Sequence, residues 1–227
     1  MRKVINILTL ILTLSALIAL SVYCSYDHFH DKLKDVNLKI VRNTEKGFVD
    51  YDMTHKMIVD ICDTANNNQV KMIDVDSVLN VLNLNPWITK AEADINLNEY
   101  LDVVITECEP VTRVYNNKGE SVYIDIEGNI FPSDNQYVPR LLVVSGIDFQ
   151  TADLGNVNDD IYAKTKLPQA FNLIKEVLND NYAKDCVKQI YYDKKKNYIF
   201  SVNNTNIIVI FGDVNEIKEK LLKMRHF

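Results

Sequence analysis

The chain opens on an unbroken apolar run. Val4 to Tyr23 (VINILTLILTLSALIALSVY) contains no charged residue, no Pro and no Gly, and twelve of its twenty positions are Leu, Ile or Val. Twenty helical residues rise roughly 30 Å, the thickness of a bilayer hydrocarbon core. Placing them in lipid gains on the order of 5 kcal/mol before the Thr, Ser and Asn side chains are counted. The run therefore predicts a membrane-spanning helix over 4–23, with Arg2 and Lys3 holding a 1–3 stub in the cytoplasm and the rest of the chain outside. A cleaved signal peptide fits less well, because its apolar stretch is usually only about 7 to 15 residues long. Lipid attachment at Cys24 calls for a small preceding residue, and Tyr23 stands there.

Residues 24–35 are polar, mixed in charge, and read as a juxtamembrane linker. Beyond them the periodicity changes. Val36, Leu38, Ile40 and Phe48 suggest a strand and its turn, with a bend at Gly47. Met53 to Ala65 places Met57, Ile58, Ile61 and Cys62 on one helical face behind Asp52 as N-cap, and Asn66 to Asn68 end that helix. Asp74 to Leu82 repeats the pattern with Val75, Val78, Leu79 and Leu82. Pro86 stops it, and two strands follow, Trp87 to Leu97 and Tyr100 to Glu107, joined at Asn98 and Glu99. The order is β-α-α-β-β.

From Pro110 onward the pattern is mostly β. Strands are predicted at Val111 to Tyr115, Ser121 to Ile126 and Arg140 to Ser145, with turns at Asn117-Lys118-Gly119 and Glu127-Gly128-Asn129. A helix over Leu167 to Leu178 carries Pro168 at an early position, where its missing N–H does no harm. Strands at Val187 to Tyr192, Asn197 to Val202 and Asn206 to Phe211 follow, and Gly212-Asp213 introduces a last helix, Val214 to Met224. The fold class is therefore α+β: one transmembrane helix, a first α/β domain over 36–107, and a mixed β domain with flanking helices over 108–227.

Charge and chemistry narrow the function. The net charge of −6 is spread along the chain, and the densest basic run, Lys194 to Lys196, reads as a solvated hairpin tip, which argues against nucleic acid. The four cysteines, Cys24, Cys62, Cys108 and Cys186, lie far apart with no CxxC; Cys62 and Cys186 read as small packed hydrophobes, and one disulfide is open. His28 and His30 with Asp27 and Asp31 have no second cluster to complete a metal site, and His55 and His226 read as surface. Glu107 with Glu109, and Asp159 with Asp160, read as exposed acids rather than a hydrolytic pair. No P-loop, GxGxxG, GxSxG or HExxH occurs. The expectation is no enzyme, no cofactor and no metal.

Several local patterns carry a family resemblance. Asn85-Pro86-Trp87-Ile88 with Ala91, then Val104 to Val111 (VITECEPV), resembles the cell-division FtsQ (DivIB) family, whose first extracytoplasmic domain is a POTRA module of the same β-α-α-β-β order. Cys108 and Thr112 stand where the family carries Arg and Ala. Tyr123-Ile124-Asp125 with Gly128 resembles the family hairpin, Pro139-Arg140-Leu141 to Ser145-Gly146 a following step, and Ile210-Phe211-Gly212 with Lys218 and Lys220 its late strand and helix. The Asn-rich, Arg-poor composition is similar to that of members from Bacteroidota. The resemblance implies a non-enzymatic divisome scaffold in the bacterial inner membrane at the division septum, anchored in the bilayer through 4–23. Such a scaffold binds FtsB- and FtsL-like proteins and helps regulate septal peptidoglycan synthesis. A partner strand adding to a sheet edge is the implied mode. In the family that edge follows the last helix; with the sequence ending at Phe227, the expected edge here is Asn206, Ile207, Ile208, Val209, Ile210 and Phe211. The alternative is an anchored POTRA protein that handles client polypeptides in secretion or outer-membrane assembly.

Overall fold

The structure is a computed structural model that describes residues 2–28, 33–64, 73–133, 137–151, 154–202 and 207–226. For residues 2–5, 7, 8, 24–28 and 64 it describes the backbone alone. Helix α1 runs Arg2–His28. The apolar side chains described along it stand open, with Leu12 at 70% and Leu17 at 64% exposure. Among the described residues no helix is long and apolar enough to cross a membrane. The expected span also includes Val4, Ile5, Ile7 and Leu8, whose side chains lie outside the described residues.

Two compact units follow from the contacts, one comprising Met1–Asn43 and Val49–Glu107, the other Thr44–Phe48 and Cys108–Phe227. In the first, β1 (Asp35–Val41), α2 (Tyr51–Thr64), α3 (Val75–Asn83), β2 (Ile88–Ile95) and β3 (Tyr100–Glu107) follow in order. The sheet order is β1-β3-β2, with β1 parallel and β2 antiparallel to the central strand. Strand β3 alternates strictly, and its inward Leu101, Val103 and Ile105 are fully buried. Val36, Leu38, Ile58, Cys62, Val78 and Leu82 are buried as well, at the two periods the sequence shows.

Several local expectations change. The cap of α2 is Asp50, not Asp52: Asp50 Oδ1 accepts the Met53 N–H at 2.8 Å, satisfying one orphan donor of the first turn. Phe48 does not extend β1. It groups with the second unit, where its ring meets Tyr123 and Tyr137 edge-on at 5.3 and 4.9 Å. His55 is no free surface residue, since it is half-buried, stacks on Tyr51 and bonds the Val36 carbonyl at 3.1 Å. The Asn66 to Asn68 terminator lies outside the described residues.

The second unit holds β4 (Pro110–Asn116), β5 (Ser121–Asp125), β6 (Ile130–Phe131), β7 (Leu142–Ile147), α4 (Leu167–Asn179), α5 (Ala183–Cys186), β8 (Val187–Tyr192), β9 (Tyr198–Val202), β10 (Ile208–Gly212) and α6 (Ile217–Met224). They build one seven-stranded sheet, ordered β10-β9-β8-β7-β4-β5-β6. Its middle is parallel, β4 beside β7 and β7 beside β8, and its flanks are antiparallel. Amphipathic α4 buries Phe171, Leu173, Ile174 and Val177 against that sheet. Thr112, in the family's Ala position, is fully buried and donates its hydroxyl to the Leu142 carbonyl at 2.8 Å, so the extra polar group is satisfied where β4 meets β7.

The last helix begins later than Val214. Asp213 does not cap it; Asp213 instead accepts the Asn215 N–H, and α6 starts at Ile217 behind Glu216 in the left-handed region (φ 51°).

Candidate functional site

Of the expected edge residues, Ile208, Val209, Ile210 and Phe211 fall on β10, the end strand of the seven-stranded sheet, which among the described residues pairs with β9 alone. Register puts Ile208 opposite Ser201, Val209 opposite Phe200 and Ile210 opposite Ile199, with a bulge before Gly212. Asn206 lies outside the described residues. Alternation along the strand separates two faces. Phe211 is 6% exposed and stacks on Phe200 at a 4.5 Å centroid distance. On the opposite face Ile208 and Ile210 stand 67% and 74% exposed, and Ile207 before them is also open. An end strand offers main-chain donors and acceptors to a further strand, and soluble proteins normally blunt it with charge or Pro. This one carries two isoleucines, with a third, Ile207, just before it.

Behind the edge, α6 is tied to the strand end. Ile217, Leu221 and Met224 enter the core. Lys220 donates to the Asp213 carbonyl at 2.9 Å, pairs with the Asp213 carboxylate, and sits 5.4 Å over the Phe211 ring. Lys218 is more exposed and reaches Glu176 at 3.8 Å. The Lys220 ammonium, with the Asn215 backbone and side-chain N–H groups, holds the Asp213 carboxyl below its ordinary value. A depressed carboxylate stabilises the fold above its unfolded pKa, and that contribution is lost as pH falls through the folded value. Acidification below the ordinary carboxylate range is therefore expected to speed amide exchange in β10 and α6 before the sheet centre, and Asp213→Asn is expected to abolish that pH dependence. Uniform exchange across the sheet at acid pH would count against the tie.

The remaining motif residues occupy turns that need them. Asn85 Oδ1 accepts the Trp87 N–H at 3.0 Å where α3 gives way to β2. Asp125 Oδ1 accepts the N–H groups of Glu127 and Asn129, both at 2.9 Å. Gly128 has φ +93°, and a Cβ there would meet Val157 Cγ2 at 2.8 Å, so no other residue closes this hairpin unstrained. Pro110, Val111, Pro139, Arg140 and Leu141 converge on one cavity of about 840 Å³ at the amino ends of β4, β7 and β8.

The two acidic pairs singled out in the sequence are each engaged locally, through Glu107 and Asp159. Glu107 is 4% exposed and reaches Arg42 at 3.4 Å, whereas Glu109 lies past the end of β3; the buried position corrects the reading of an exposed pair. Asp159 spends an oxygen on the Asn156 N–H at 2.7 Å, locking a loop. Among the described residues Cys62, Cys108 and Cys186 form no disulfide, and burial, then the charge of Asp63, raises the Cys62 pKa. His30, Asp31 and the side chains of Cys24, Asp27 and His28 lie outside the described residues. Among the described residues no His, Cys, Asp and Glu group is arranged to hold a metal.

Sequence reasoning reached the edge strand through its apolar run and missed the bulge, the stacked phenylalanines and the lysine behind them. In comparison with known proteins, residues 109–227 fit a family model described as FtsQ/DivIB, C-terminal related. No curated protein matches the chain.

Proposed function

The chain belongs to the FtsQ/DivIB C-terminal-related family, and from that membership we propose that it is a non-enzymatic scaffold of bacterial cell division. In this reading β10 accepts a strand from an FtsB- or FtsL-like partner and so helps regulate septal peptidoglycan synthesis. The observation that carries it is the exposed apolar edge formed by Ile207, Ile208 and Ile210. Main-chain hydrogen bonds supply affinity in strand addition, and alternate side chains supply selectivity. The first unit serves as a POTRA module in this reading, on the strength of its β-α-α-β-β order. Helix α1 serves as the membrane anchor, N-terminus inward, supported by its 27-residue length and open apolar side chains.

The test uses the full chain in detergent and the extracytoplasmic segments of FtsB- and FtsL-like proteins. Ile208→Lys with Ile210→Lys places charge on an exposed edge, which blocks strand addition without touching the core. Affinity is expected to fall about tenfold or more, roughly the 1.4 kcal/mol of one good strand contact, with the melting temperature unchanged. Equal binding by both forms would remove the edge from the mechanism. Binding by neither, with capture of unfolded polypeptides instead, would favour the client-handling alternative.

A further inference from the structure

The seven-stranded sheet contains a second feature that strand addition does not use. From β4 the chain runs outward to β5 and β6, returns to β7 on the other side of β4, and continues through α4 to β8. The strand order thus reverses between two parallel neighbours, β4 and β7. At such a reversal the connections leave the carboxyl ends of the strands in opposite directions, and a crevice opens between them. Here that crevice is a cavity of about 830 Å³, within the range of small-ligand sites. Residues at or just past all three parallel strand ends line it: Asn117 after β4, Gly146 and Asp148 at β7, Asp193 after β8.

Its charge is opposite to that of the chain. Lys164 and Lys166 enter from the segment before α4, and Lys194 and Lys196 from the β8–β9 turn. They face two carboxylates, Asp148 and Asp193, in a chain of net charge −6. Asp193 already accepts the Asn197 N–H at 2.7 Å. Among the described residues Lys164, Lys194 and Lys196 make no ion pair, and Lys166 gives one donor to Gln169 at 3.1 Å. The turn holds Lys196 in the left-handed region, at φ 67°, a conformation that costs a non-glycine residue energy. Four like charges around one cavity attract an anion. The lysines supply the donors, because the Leu167 N–H at the start of α4 is taken by Thr165 Oγ1 at 3.1 Å and Pro168 has none. Tyr191, 42% exposed, adds an aromatic wall.

We propose that this cleft binds a phosphate or diphosphate ester, with Lys164, Lys166, Lys194 and Lys196 contacting the phosphate oxygens and Tyr191 packing against the organic part. Phosphate oxygens accept several charge-assisted hydrogen bonds at once, which lysines lining one cavity can supply. The group reaches the cleft either on a soluble ester or on a lipid headgroup.

The full chain in detergent is titrated calorimetrically with sodium pyrophosphate. Acetylation of each lysine is mapped by mass spectrometry with pyrophosphate present, and again in micelles doped with phosphatidic acid or with phosphatidylcholine. Saturable pyrophosphate binding is expected, weakened about tenfold or more by replacing the four lysines with Gln, as loss of charge-assisted bonds requires. Lys175→Gln with Lys223→Gln, on exposed helix positions, is expected to leave affinity unchanged. Protection of the four lysines by pyrophosphate supports a soluble ester, and protection only by phosphatidic acid supports a lipid headgroup. Protection by neither, or an equal loss in the control variant, overturns the proposal.

Discussion

Replacing Phe211 by Ala is expected to lower the stability of the second unit by about 3–5 kcal/mol, the usual cost of deleting a buried aromatic side chain. Phe211 is 6% exposed, stacks on Phe200 at 4.5 Å and carries the Lys220 ammonium over its ring, 5.4 Å from the centroid. Its removal leaves a cavity beside Phe200 in the core that α6 helps to build. Losing the cation–ring contact adds about 0.5–1 kcal/mol, a minor part. Because β10 ends the sheet and among the described residues pairs only with β9, the damage concentrates at the sheet edge, and partner binding is expected to fall with stability. That combination separates Phe211→Ala from Ile210→Lys, which removes binding and leaves stability intact. Urea unfolding of the second unit, read beside the binding assay, checks both. A stability loss under about 1 kcal/mol would show that the stacked pair does not anchor the strand.

The contrast between Phe211 and Ile210 also shows what the sequence makes legible. An unbroken IIVIF run announces a strand but not which of its residues face water, because a strand open on one side and buried on the other normally alternates in polarity. Here both faces are apolar, so the pattern is silent, and the structure supplies the assignment. Strand β3 is more readable: Asp102 and Thr106 mark the outward face although Val104 shares it, and Leu101, Val103 and Ile105 are fully buried on the other. Helix α4 was equally readable, since Pro168 marks its start and its apolar period is sustained. Short elements were not: β6 spans two residues and α5 four, below any periodic signal. Nor was the lysine cleft, which joins positions more than 70 residues apart, such as Asn117 and Asp193. Strand order, not local pattern, brings them together. Lys194 to Lys196 are the solvated hairpin tip their sequence suggests, exposed in the β8–β9 turn, and only the fold shows that Lys164 and Lys166 line the same cavity as Lys194 and Lys196.

Gly146 tests that strand order. Between Val144 and Ile147 strand β7 takes three steps against two from Val114 to Asn116 on β4, so β7 carries an extra residue where the two strands end. Gly146 absorbs it at φ +84°, which costs about 1–2 kcal/mol for a residue with a Cβ. The larger cost is steric. An added Cβ would run into the Tyr192 carbonyl of the adjoining strand and lie 2.9 Å from Tyr191 Cε2. A tyrosine ring can swing aside, whereas a backbone carbonyl held in a ladder cannot, and forcing strands apart costs about 1–3 kcal/mol more. Gly146→Ala is therefore expected to destabilise the second unit by about 2–5 kcal/mol, the sum of the two. Gly119 has nearly the same φ, +85°, with nothing within 4 Å of its Cβ position, so Gly119→Ala is expected to lose only the conformational part, about 1–2 kcal/mol. Equal losses in the two variants would mean that β7 and β8 separate freely at this point. A larger loss for Gly146→Ala would show that the close approach of the two strands is fixed, and with it the floor on which Tyr191 and the four lysines are arranged.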